Sequence, residues 1–95
     1  MRNYYVPYQG AQPATVSVNG HKVIVLSRRQ RLIAPYLTLL GAESVRRLQI
    51  EKQSDEEQAF EQLANASGAG VVITPSDLEL PELLRTLEAQ LPWVQ

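Results

Sequence analysis

The chain has no cysteine and a single histidine, His21, among its 95 residues. The first absence excludes a disulfide framework, thiolate chemistry and a cysteine-ligated metal. The second excludes a histidine-rich metal site or a histidine relay within one chain. Long apolar runs are missing too. No stretch approaches the ~18 apolar residues of a membrane span, and the opening MRNYYVPYQG lacks the apolar core of a secretory signal, so a cytoplasmic location is expected. GxxxxGK[ST], GxSxG, HExxH and GxGxxG are all absent. No catalytic residue, metal ligand or cofactor is therefore expected, and the reading is of a non-enzyme.

The composition present is that of a folded domain, with 44% hydrophobic and 20% charged residues. The net charge of −1 hides an uneven distribution. Residues 1–50 carry seven Lys or Arg against Glu43 alone, while residues 51–95 carry two against nine Asp or Glu. Such asymmetry signals either an anionic partner or two halves that interleave and balance in the fold.

The strongest local signal is Asn19-Gly20, set between runs rich in β-branched residues. Both residues accept positive φ, which a two-residue hairpin turn requires. The implied register pairs Val18 with His21, Val16 with Val23 and Ala14 with Val25. The second strand (VIVL) is apolar on both sides and reads as a central strand; the first is half polar and suits an edge. The remaining chain is expected to pack around Val23, Ile24, Val25 and Leu26.

Ahead of this hairpin, residues 1–12 hold Tyr4, Tyr5 and Tyr8 together with Pro7 and Gly10. Pro7 argues against a central strand. The segment reads as an N-terminal aromatic arm, laid on the domain as an edge or docked elsewhere, followed by one small domain over residues 13–95.

After the hairpin, Ser27 and Gln30 have capping-box spacing, while Pro35 suits the first position of a short helix 35–40 ended by Gly41. A kinked helix over 28–40 is the alternative. Residues 44–51 read as a strand with Arg46, Leu48 and Ile50 on one face and Val45, Arg47 and Gln49 on the other, or else as a continuation of helix past Gly41. Ser54 and Glu57 form a second capping box, starting a helix that buries Ala59, Phe60, Leu63 and Ala64 and stops at Gly68. GVVIT over 70–74 reads as a buried strand. A last helix near Pro81 carries the stripe Leu80, Leu83, Leu84, Leu87 and Leu91, ended by Pro92; Trp93 and Val94 follow as an apolar peg. The expected fold is α/β (or α+β): a small mixed, mostly parallel four-stranded sheet in the order β-β-α-β-α-β-α, opening with the Asn-Gly hairpin.

Open parallel sheets bind ligands beyond the carboxyl ends of their strands. Those ends carry residues 27–31, with Arg28, Arg29 and Arg31, and residues 74–77. The arginines either pair with Asp77 or a helix carboxylate, or stay free to grip an anion. The leading functional reading is a protein–protein interaction module, a small adaptor or regulatory subunit capable of self-association. It would use Tyr4, Tyr5, Tyr8 and Trp93 as apolar anchors and the basic loop for charge complementarity, since aromatics and arginine are enriched at interface hot spots. The alternative is a nucleic-acid-binding protein using Lys22, Arg28, Arg29, Arg31, Arg46 and Arg47. A small anionic ligand between the two loops is a third reading. No membrane partner is expected.

Overall fold

A computed structural model describes residues 1–94 and shows a small α+β fold built on two three-stranded sheets. In the first sheet, β1 (Arg2–Gln9) lies between β2 (Gln12–Pro13) and β5 (Ser44–Ile50), antiparallel to both. In the second, β4 (His21–Leu26) lies between β3 (Val16–Val18), its antiparallel hairpin partner, and β6 (Gly70–Ile73), which runs parallel to it. An isolated bridge links the sheets: Tyr5 and Ser27 exchange both backbone hydrogen bonds, 2.6 and 3.2 Å long.

The hairpin follows from its turn chemistry. Asn19 has φ 52° and Gly20 φ 85°, the pair of positive values that matches strand twist. The register Val16↔Val23 and Val18↔His21 is as expected, with β4 central and β3 at the edge. The expected third pair, Ala14 with Val25, does not form. Ala14 instead donates its N–H to the Pro7 carbonyl at 2.9 Å, because the chain is still leaving the first sheet at that point.

β4 organises two cores, one on each face. Val23 and Val25 face Ile33, Leu40 and the stripe Leu80, Leu83 and Leu87 of α2 (Leu80–Gln90). Ile24 and Leu26 face Tyr4, Val6 and Ile50, closed over by Ala59, Phe60 and Leu63 of α1 (Glu56–Ser67). Ile24 and Leu26 are fully buried; each such side chain contributes about 1.5–3 kcal/mol by leaving water.

The mostly parallel four-stranded sheet is corrected to two mostly antiparallel sheets, with β4 and β6 the one parallel pair among the described residues. The reason lies in residues 2–9. Read as an arm, they form β1, and they take β5 as an antiparallel partner along its whole length, from Arg2↔Ile50 to Tyr8↔Ser44. That pairing leaves β5 out of a parallel crossover. Pro7 does not confine β1 to an edge. Alternate residues of a strand turn their polar groups to opposite sides, and Tyr5 uses the Ser27 side, so Pro7 does as well. Its carbonyl is taken by Ala14, and its missing N–H falls in the gap between Ser27 and β2, where no ladder bond is lost.

Residues 44–50 are a strand, not a continued helix. Neither the expected helix over 35–40 nor the kinked helix over 28–40 forms; that stretch holds two 3₁₀ turns, Gln30–Leu32 and Ala34–Tyr36. Ser54 does not cap α1: it lies in a 3₁₀ turn (Gln53–Asp55), and Asp55 precedes the helix without a side-chain cap. Gly68 does end α1, with φ 61° and its N–H on the Ala64 carbonyl. Among the described residues no helix is long and apolar enough to cross a membrane.

Candidate anion-binding cleft

β4 and β6 run parallel and end side by side at Leu26↔Ile73, with the Thr74 N–H donating to the Leu26 carbonyl at 2.8 Å. The chain segments that leave these two ends are therefore held together. Between them opens a cleft of about 500 Å³ lined by Ser27, Arg28, Arg29, Leu32, Ile73, Thr74, Pro75 and Ser76. That volume is within the range of about 300–1,000 Å³ typical of small-molecule sites.

Two buried hydroxyl residues border the cleft. Ser27 is 1% exposed; its backbone is tied to Tyr5, and its Oγ accepts the Arg29 N–H at 3.1 Å. This local turn bends the chain straight after β4 and keeps it from starting a helix. Thr74 is 4% exposed, and its hydroxyl is buried with no hydrogen-bond partner. Buried polar atoms without partners are uncommon and costly in folded proteins. Leu32 is buried and Ile73 is 40% exposed, so the apolar side of the cleft is partly open to solvent.

Arg28 and Arg29 are exposed. Among the described residues neither has an ion-pair partner. Among the described residues the one salt bridge joins Arg2 Nη1 to Glu56 Oε2 at 3.1 Å. Asp77 borders the cleft segment without engaging either guanidinium, and Glu79 accepts the Tyr36 hydroxyl at 2.6 Å. The internal pairing considered from the sequence is thus not made.

The other basic residues are dispersed. Lys22 is near the opposite end of β4, about 13 Å from Leu26 at ~3.3 Å per strand residue. Arg46 stacks on Tyr8, 4.4 Å from guanidinium carbon to ring centroid, and donates to the Gly10 carbonyl at 3.3 Å. Arg47 is cross-strand from Tyr5, which is itself paired with Ser27. Directly opposed residues share a face, so Arg47, Tyr5 and Ser27 form one row leading to the cleft. Arg31 is exposed within its 3₁₀ turn.

Of the aromatic candidates, Tyr4 is built into the core. It is 2% exposed, meets Phe60 edge-on at 5.1 Å and donates its hydroxyl to Glu56 Oε1 at 2.6 Å. Burial, reinforced by the Glu56 carboxylate, pushes its phenol above the ordinary value near 10.0. Tyr5 and Tyr8 are half-buried. Trp93 is 74% exposed, on a tail held at both neighbours: His21 Nε2 is 2.7 Å from the Pro92 carbonyl, and the Val94 N–H donates to the Asn19 carbonyl at 3.0 Å.

The sequence singled out the two loops and their arginines but not Ser27, Thr74 or Ser76. The available signal was the placement of hydroxyl residues directly after the apolar runs VIVL and VVI. Among the described residues no group of three His, Asp or Glu side chains gathers as for a metal ion. Comparison of the chain with known families, curated proteins and solved structures finds no match.

Proposed function

We propose that the protein is a non-enzymatic binding module, a small adaptor or regulatory subunit, that takes an anionic group of its partner into the cleft between residues 27–29 and 74–76. One observation carries the reading: Arg28 and Arg29 line a cleft at the carboxyl ends of the parallel strands, and among the described residues neither is neutralised by a carboxylate. Guanidinium forks bind carboxylate and phosphate in bidentate fashion, and an unpaired one retains that capacity. The residues lining the cleft include no histidine, cysteine or carboxylate to act as nucleophile or base, which favours binding over catalysis. A second copy would meet this requirement, since the basic N-terminal and acidic C-terminal halves are complementary.

The nucleic-acid reading has less support. A backbone track needs several cations in line, but Lys22 is at the far end of β4 and Arg46 is engaged with Tyr8 and Gly10. The test is titration of the full chain with a glutamate-rich peptide, inorganic phosphate and short single-stranded DNA, at low and physiological salt. Binding of an anion that Arg28→Gln with Arg29→Gln abolishes supports the module. Absence of binding in every arm overturns it. DNA binding that also needs Lys22 and Arg46 favours the alternative.

A further inference from the structure

We infer that the cleft receives the phosphate of a small phosphate monoester. This deepens the reading of the cleft as an anion site and rests on it.

Arg28 and Arg29 bring two planar forks of five N–H donors each, and Ser76 and Thr74 add two hydroxyls. A carboxylate has two oxygens and is satisfied by one guanidinium fork. It would leave the second arginine and both hydroxyls unused. A phosphate monoester carries close to two negative charges and three strong acceptor oxygens, which matches two guanidiniums and the hydroxyls beside them.

Thr74 supplies an independent observation. Its hydroxyl is buried and has no partner, although the residue lines the cleft. Leaving a buried hydroxyl unsatisfied costs stability. A donor held for a ligand oxygen accounts for it.

The organic part of the ligand follows from the remaining wall. Leu32, Ile73 and Pro75 make one side apolar, and at about 500 Å³ the space exceeds what a bare phosphate fills. The ligand class is therefore a phosphorylated small molecule with a compact apolar or flat portion. The lining residues include hydroxyls but no histidine or carboxylate to activate them as nucleophiles, so the ester is held intact.

The experiment is amide chemical-shift mapping on the full chain at physiological ionic strength. The probes are adenosine monophosphate, inorganic phosphate and a glutamate-rich peptide. Adenosine monophosphate is expected to shift the amides of residues 27–29, 74 and 76 and to bind at least tenfold tighter than the peptide. Inorganic phosphate should shift the same amides more weakly. Arg28→Gln with Arg29→Gln should lower the affinity for adenosine monophosphate at least tenfold while the rest of the spectrum is unchanged. Thr74→Val should weaken that affinity without lowering the midpoint of unfolding. The inference is overturned if the peptide binds as tightly as adenosine monophosphate, if the paired glutamine variant keeps its affinity, or if inorganic phosphate alone binds. Peptide shifts at the cleft with no phosphate response would remove the phosphate assignment and leave the anion-binding module standing. No shift at the cleft with any probe would remove both.

Discussion

Asn19 and Leu91, 72 residues apart, are joined by a 2.7 Å hydrogen bond from Asn19 Nδ2 to the Leu91 carbonyl. The same Nδ2 donates to the Glu88 carbonyl at 2.8 Å. The last carbonyls of a helix have no partner within it, so the side chain of a hairpin turn closes the end of α2. The turn therefore sets the register of β3 and β4 and also positions the helix that covers one of their faces.

Asn19→Gly keeps the positive φ but removes both donated bonds. At about 1 kcal/mol each, it is expected to cost about 1–2 kcal/mol. Asn19→Ala should cost more, because it loses the same two bonds and alanine lacks the tolerance of the left-handed region that asparagine shares with glycine. Urea denaturation checks the order wild type, Gly variant, Ala variant. A glycine variant as stable as wild type would remove Asn19 from its capping role.

Gly20→Ala acts on the tail. Gly20 has φ +85°, and a Cβ there would stand 3.0 Å from Val94 Cβ. The turn is strained and Val94 must move. Because Trp93 is the sole tryptophan, its fluorescence reads the tail directly: the anisotropy of folded Gly20→Ala should fall below that of wild type. Unchanged anisotropy would mean that the tail is not held by the turn.

Ile24→Ala removes a fully buried side chain from the core beneath α1. Large-to-small changes at such positions cost about 2–5 kcal/mol, a large share of the roughly 5–15 kcal/mol that holds a domain folded. Denaturant unfolding measures it. A loss below 1 kcal/mol would mean that β4 is not the centre of the fold.

Tyr4→Phe gives a pH-dependent difference. The folded state holds the Tyr4 phenol above its ordinary value near 10.0 through burial and the hydrogen bond to Glu56. The folded form thus binds that proton more tightly than the unfolded form does. Its contribution is fully present below pH 10 and is lost as pH rises through the folded value. Wild type should exceed Tyr4→Phe in stability at pH 7, by about 1 kcal/mol for the hydrogen bond, and the gap should close above pH 10. Stability curves of both proteins against pH check the sign; a gap that widens in alkali contradicts it.

Much of the second sheet was legible in the sequence because its signals are local. Asn19-Gly20 specifies a turn by backbone sterics, and VIVL specifies a strand buried on both sides. The first sheet was not. Tyr4 and Val6 alternate inward, but Pro7 interrupts the run, and its tolerance depends on where the neighbouring strands stop, which is a tertiary fact. The same holds for the 3₁₀ turns: Ser27 has the spacing of a helix cap, yet its Oγ is taken by the Arg29 N–H while its backbone is taken by Tyr5. The two cleft loops could be placed because ligand sites gather at the ends of parallel strands, and β4 and β6 are such a pair. That the arginines have no carboxylate partner among the described residues was visible only with those carboxylates in place.

The central claim is that Arg28 and Arg29 form a working anion site. Isothermal titration of wild type and of Arg28→Gln with Arg29→Gln with adenosine monophosphate, at two salt concentrations, tests it most directly. The account predicts saturable one-to-one binding to wild type that weakens as salt rises, and at least a tenfold loss in the paired variant. Equal binding by both proteins would contradict the account and place the site elsewhere on the molecule.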